Sequence, residues 1–221
     1  MEPVADRKKR VAKLMAKLKK AYPDARCLLG HSSPLELLVA TILAAQCTDE
    51  RVNKTTPGVF ARYKAAADYA AAAPDELEPL IRSCGTFRNK AKAIKAACQA
   101  LVEKHGGQVP AEMEALSSLP GVGRKTANVV LANCFGVPGI IVDTHMIRVA
   151  GRLGLASPHN VEKKYAEKIE KELMDAVPQN DSTLFSHLMT FHGRRTCFAR
   201  KPDCPSCAVT ALCPYPEKTP G

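Results

Sequence analysis

The sequence predicts an all-α protein of 221 residues, long enough to bury a core of its own in one or two domains. Three observations carry that prediction. Apolar residues recur at helical spacing through most of the chain, and helix-start and helix-stop residues punctuate it. The one strand-like run, Ile140-Ile141-Val142, is too short to build a sheet.

In chain order, Val11, Leu14, Met15, Leu18 and Tyr22 mark the apolar face of an N-terminal helix. The eight basic residues between Arg7 and Lys20 are expected on its solvated face. Ser33-Pro34-Leu35-Glu36 reads as a capping box with proline in the first turn, opening an apolar run to Gln46. Thr48 can cap the next helix, through Arg51 to Tyr63. After the alanine-rich stretch Ala65 to Ala73, Pro74 starts a helix that Gly85 closes. A helix from about Phe87 to His105 ends at Gly106-Gly107. Another passes through Asn133 to a break at Gly136, Pro138 and Gly139. Thr144 is expected to cap a helix ending near Gly151, Asn160 to open one rich in Lys and Glu, and Asp181 to open the last, stopped at Gly193.

The formal charge of +10 points to an acidic partner, nucleic acid first and an anionic membrane surface second. Without Trp, and with 5% aromatic residues, the chain favours a surface that tracks a duplex over a platform that stacks single strands. No stretch approaches the length of a membrane span. The start, MEPVADRKKR, lacks the apolar core of a secretory signal, and the nine cysteines are an odd number. These features place the chain in a reducing compartment, the cytoplasm, where clustered cysteines bind metal rather than each other.

Cys27, Cys47, Cys84, Cys98 and Cys134 lack ligand spacing and read as small buried hydrophobes. Cys197, Cys204, Cys207 and Cys213 differ: they read C-x6-C-x2-C-x5-C within 17 residues. Loops this short cost little to close around one metal centre, either zinc or an iron–sulfur cluster. Arg194, Arg195, Arg200 and Lys201 surround the first of them with positive charge. Arg200 and Lys201, in the loop between the first two cysteines, are candidate phosphate contacts.

Leu119-Pro120-Gly121-Val122-Gly123-Arg124-Lys125 joins two helices through a Gly-x-Gly turn. Gly121 and Gly123 permit positive φ and remove side chains that would block a close approach. The first N–H groups of the following helix, with Arg124 beside them, can hold a DNA phosphate without reading sequence. A tight turn without a ligand is the plainer reading. Lys125, in the first turn of that helix, can be a further phosphate contact. Its setting at the positive end of a helix and beside Arg124 also favours the neutral amine that forms Schiff bases. Asp143 follows 18 residues later in Val142-Asp143-Thr144-His145, at a helix start where an aspartate can serve merely as a cap. A lysine nucleophile, a carboxylate and a phosphate-binding turn together suit strand cleavage at a sugar.

LPGVGRKTANVV, then VDTHMIRV, then the four-cysteine pattern resembles endonuclease III, the bifunctional glycosylase and abasic-site lyase of the helix-hairpin-helix superfamily. SSPLELLVATILAAQCTD, VNK and HGRRTCFARKPDCPSC extend the resemblance over nearly the whole chain. It implies two helical lobes: a six-helix barrel over 27–137 carrying the hairpin, and a lobe of 1–26 and 138–221 holding a [4Fe-4S] cluster on the four cysteines. The implied partner is double-stranded DNA bearing damaged pyrimidines or abasic sites, bound across the cleft between the lobes by a monomer. Lys125 falls at the family's nucleophile and Asp143 at its catalytic carboxylate, while Gln46 and His145 match positions that touch or fill the distorted duplex.

The implied reaction flips the damaged base out of the stack. Lys125 displaces it at C1′ with help from Asp143, and β-elimination through the Schiff base cuts the strand. The family commonly has an apolar wedge after the glycine matching Gly85, where this chain has Thr86 followed by Phe87. Either Phe87 takes over that role or recognition of the opposite strand is altered.

Overall fold

The computed structural model describes residues 2–220, and among them no strand forms. Two compact units divide the chain: one from Cys27 to Val137, the other made of the segment up to Arg26 together with that from Pro138 onward. Among the described residues, no helix is long and apolar enough to cross a membrane.

The discontinuous unit opens with α1 (Val4–Ala21), whose buried Val11, Leu14, Met15 and Leu18 follow the predicted apolar face. Its basic residues are not all solvated. Arg7 is 2% exposed and donates to the Leu155 carbonyl at 3.4 Å, and Arg10 donates to the carbonyls of Leu153 at 2.5 Å and Gly154 at 3.2 Å.

The contiguous unit begins with α2 (Pro34–Leu43), where the Ser33 hydroxyl accepts from the Glu36 N–H at 3.2 Å. Glu36 answers one residue earlier than a standard capping box, taking the N–H and hydroxyl of Ser32 at 2.6 and 2.7 Å. The helix stops three residues short of Gln46. Helix α3 (Asp49–Arg62) is capped by Thr48 as expected. Next come α4 (Ala66–Ala71) and α5 (Pro74–Ile81), then a 3₁₀ turn at Arg82–Cys84. Helix α6 (Phe87–His105) is the unit's axis. Its buried Ala91, Ile94, Ala97, Cys98 and Leu101 face the core, and α2, α4 and α5 all pack on it. It ends at Gly106 and Gly107, both at positive φ. Helices α7 (Met113–Ser117) and α8 (Arg124–Val130) complete the unit, and α8 continues as a π turn over Leu131–Phe135.

The discontinuous unit resumes with α9 (Thr144–Arg152), α10 (Pro158–Glu162), α11 (Ala166–Met174) and α12 (Ser182–Arg195). The single helix expected from Asn160 is two. Lys164 sits at φ 55° between them, and the Ser157 hydroxyl, rather than Asn160, caps the first. The last helix runs past Gly193 to Arg195. The run Ile140–Val142 is extended but pairs with no strand: the hydroxyls of Ser182 and Ser186 on α12 take the N–H groups of Gly139 and Ile141 at 3.1 and 3.0 Å. Cys84 and Cys98 are buried as predicted, while Cys27, Cys47 and Cys134 are half-buried. Burial pushes the Cys98 thiol up to about 12.

Burial also pushes His187, on α12, from its ordinary 6.5 down to about 4. The folded chain therefore favours the neutral ring. That contribution is complete above 6.5 and is lost as pH falls toward 4, because the unfolded chain takes up the proton first. Relative to a His187→Gln variant, wild type should lose about 1–3 kcal/mol between about pH 7 and pH 4. Parallel denaturant titrations across that range test this, and a difference independent of pH would contradict it.

Candidate functional site

The hairpin is anchored by two buried apolar residues, Leu119 and Val122, joined by a hydrogen bond from the Val122 N–H to the Leu119 carbonyl at 3.1 Å. Its two glycines do different jobs. Gly121 has φ 76°, and a Cβ there would lie 2.8 Å from the Cβ of Ala93 on α6. Gly123 is extended at φ −89°, and a Cβ there would meet nothing within 4 Å. Positive φ, which both could adopt, is used only at Gly121. Gly123 leaves open space in front of the start of α8, where the N–H groups of Lys125 and Thr126 have no intrahelical acceptor. Arg124 and Lys125 are exposed there, while Ala127 to Val130 are buried and fix the helix.

Asp143 is half-buried and caps α9: its Oδ1 accepts from the Met146 N–H at 2.7 Å. The sequence offers both Asp143 and Thr144 for that role, and the structure uses Asp143. Asp143 holds the extended backbone a cap requires (φ −108°, ψ −176°), whereas Thr144 is already helical. The cap engages one oxygen of the carboxylate. Two residues on, His145 is half-buried, and its Nδ1 accepts from the Arg148 guanidinium at 3.1 Å. Burial lowers its proton affinity, with Asp143 opposing and Arg148 reinforcing that shift. Gly193 on α12 makes room for this pair, since a Cβ there would lie 2.9 Å from that of His145.

Two exposed turns of the contiguous unit carry non-glycine residues at positive φ. Gln46, on the turn after α2, has φ 54°; Thr86, on the turn before α6, has φ 40°. Thr86 forms the exposed tip. Phe87 begins α6 half-buried, with the Arg88 guanidinium 5.3 Å from its ring centroid.

Cys197, Cys204, Cys207 and Cys213 all line one pocket. Among the described residues no three His, Cys, Asp or Glu side chains are gathered closely enough to hold an ion. The residue types nonetheless fit a four-thiolate group, because all four cysteines line the same pocket on short, internally hydrogen-bonded loops. Burial raises the thiols of Cys207 and Cys213, so a bound metal would displace their protons.

Three residues that sequence reasoning did not single out support this cavity. Arg152 donates to the Cys197 sulfur at 3.3 Å and to the carbonyls of Phe198 and Ala199 at 2.6 and 3.0 Å. Arg148 takes the Cys197 and Gly193 carbonyls at 3.1 and 2.8 Å. Buried His192 is bonded to the Tyr22 hydroxyl at 2.9 Å and has its Nε2 3.9 Å from the Cys207 sulfur. The i, i+4 spacing of the arginines was the only available signal; His192 offered none. Arg200 and Lys201 are exposed on the loop that Arg152 pins, with Lys201 at φ 49°.

Of the predicted residues, Gln46, Gly121, Gly123, Arg124 and Lys125 belong to the contiguous unit. Asp143, His145, Arg200, Lys201 and the four cysteines belong to the other. Within the latter, α9 links the Asp143–His145 end to the cysteine cavity through Arg148 and Arg152.

A hairpin with an open glycine, a lysine behind it and a cysteine-lined lobe define a class, and residues 39–179 match the HhH-GPD superfamily base excision DNA repair proteins. The chain is 49% identical to endonuclease III of Synechocystis sp. (97% of this chain, 96% of that one) and 43% identical to that of Bacillus subtilis (95% and 94%). A non-covalent endonuclease III–DNA complex superposes with a TM-score of 0.86 at 44% identity, covering 94% of this chain and 95% of that one. A trapped endonuclease III–DNA covalent intermediate gives 0.87, also at 44%, covering 94% and 96%. The chain belongs to the endonuclease III family.

The two glycines separate in a simple experiment. Gly121→Ala combines a left-handed alanine with the Ala93 contact and should cost about 2–4 kcal/mol of stability. Gly123→Ala should change stability by less than about 0.5 kcal/mol. Equal losses in denaturant titrations would contradict the assignment.

Proposed function

We propose that this chain removes oxidised pyrimidines from double-stranded DNA and cuts the resulting abasic strand through a Schiff base on Lys125. The observation that carries this reading is Lys125 itself, an exposed lysine in the first turn of α8 behind the open Gly123. The hairpin's first-turn N–H groups and Arg124 hold a phosphate and set the backbone's position without reading sequence. Gln46, Thr86 and His145 meet the distorted duplex, and Arg200 and Lys201 add phosphate contacts from the pinned loop.

Two side chains carry the chemistry. The Lys125 Nζ attacks C1′ of the flipped nucleotide, and the C1′–N bond to the base breaks. Asp143 assists deprotonation of the nucleophile and stabilises positive charge at the sugar. Ring opening gives the imine between Nζ and C1′. The imine acidifies the C2′ proton, loss of that proton expels the 3′ phosphate, and water then frees the lysine.

The segment 27–137 serves as the barrel lobe carrying the hairpin. Residues 1–26 and 138–221 form the lobe in which Cys197, Cys204, Cys207 and Cys213 hold a [4Fe-4S] cluster. When bound, that cluster supplies a structural cross-link and requires no redox step. The protein works as a monomer on cytoplasmic, nucleoid DNA, with duplexes bearing damaged pyrimidines or abasic sites as its substrates.

Lys125→Gln should abolish the borohydride-trapped complex on abasic and thymine-glycol duplexes while binding lesion DNA within about threefold of wild type, since one phosphate contact is a small share of the interface. Undiminished trapping would assign the nucleophile to another amine. Asp143→Asn keeps an oxygen for the Met146 cap, so it should fold normally and release base at least about 100-fold more slowly. Wild-type rates would leave Asp143 a cap only.

Anaerobically purified protein should be yellow-brown with about four iron atoms per chain. Cys204→Ser should lower the iron content and weaken DNA binding. Stoichiometric zinc without iron or acid-labile sulfide would refute the cluster.

A further inference from the structure

Lys90 is only 5% exposed, one turn into α6, yet it carries one of the chain's longest polar side chains. Its Nζ donates to two carbonyls, Leu43 and Cys84, each at 2.7 Å. Both mark helix ends. Leu43 is the last residue of α2, and the N–H that would continue its ladder, that of Cys47, instead turns back to the Ala44 carbonyl at 3.1 Å. Cys84 is the last residue of the 3₁₀ turn. A lysine placed here serves as a shared C-terminal cap for two helices, at the negative ends of both.

The residues just beyond each capped carbonyl give the arrangement its meaning. Three residues after Leu43 comes Gln46, and two after Cys84 comes Thr86, both exposed and both at positive φ. For a β-branched threonine that conformation is rare and costs about 1–2 kcal/mol. Such a conformation persists only where its surroundings over-determine it. Here the surroundings are Lys90 together with α3, from which Arg51 donates to the Ser83 carbonyl at 3.3 Å and the Thr55 hydroxyl meets that of Ser83 at 2.8 Å.

We propose that Lys90 is a positioning residue for base flipping: by capping α2 and the 82–84 turn with one amine, it holds Gln46 and Thr86 in a fixed mutual geometry as a preformed wedge. The inference rests on the proposed glycosylase reading and gives it a cause. A flipped base leaves a gap in the stack, and side chains that fill it do so best when no ordering remains to be done at the moment of extrusion. Cleavage of a preformed abasic site, which has no base to displace, depends on the wedge far less.

The test uses full-length protein with Lys90→Met, which keeps the aliphatic stem, and Lys90→Arg, which restores a cation. Single-turnover base release from a thymine-glycol duplex should fall at least about tenfold in Lys90→Met, the factor expected for losing a charge-assisted bond. Cleavage of an abasic duplex should stay within about threefold, and Lys90→Arg should recover part of the loss. Amide exchange of free protein should quicken across 44–48 and 84–88 but not across α8. If Lys90→Met does not accumulate folded, Lys90→Gln, which keeps one donor, carries the same comparison. Equal losses in both reactions, or unchanged base release, would overturn the inference, as would exchange that quickens throughout the unit. Wild-type protein inactive on both duplexes would refute the reaction instead, and exchange alone would then decide whether Lys90 holds the two turns.

Discussion

Short helices joined by tight turns leave carbonyls without partners at every C-terminal end, and a protein built only from such helices must cover those it buries. This chain covers them with basic side chains. Arg7 and Arg10 take the carbonyls that follow α9, Arg148 and Arg152 those around Cys197, Lys90 the ends of α2 and the 82–84 turn, and Lys95 that of Ala72. Each satisfies carbonyls at the negative end of a helix or on the loop beyond it. The net charge of +10 is thus only partly a surface for nucleic acid. A share of it is internal scaffolding, and the exposed turns after α2 and before α6 hang from it.

The same economy appears at the hairpin and at Asp143. Gly121 is required by the fold, since both its φ and the nearby Ala93 exclude a side chain, whereas nothing within the protein opposes one at Gly123. Asp143 combines two duties in one carboxylate. The cap to Met146 fixes the group's orientation through one oxygen, and the proposed reaction would use the other.

Most helices were legible because their ends are written in residues with a local mechanism. Ser33, Thr48, Pro74 and the pair Gly106-Gly107 act within one turn, and the structure uses each of them. What escaped depends on distant partners or on backbone choices that side chains do not announce. Nothing local marks Lys164 as left-handed, so α10 and α11 read as one helix. The basic residues of α1 looked solvated because the carbonyls that receive Arg7 and Arg10 lie more than 140 residues away. The catalytic candidates and the four cysteines were visible as motifs. Their support was not, since Arg152 and His192 reach the cysteine cavity only after the chain has folded back.

The discontinuous unit also imposes an order of events during synthesis. Residues 27–137 leave the ribosome as one continuous stretch holding every partner that unit needs, so it can fold early. Helix α1 emerges before that stretch, but the surfaces that cover Val11, Leu14 and Leu18 arrive only with α9, α11 and α12. Until then its apolar face stays uncovered beside a finished neighbour. The four clustered cysteines follow all of these helices, so a ribosome stalled between Val137 and α9 would hold one finished unit and one sticky helix.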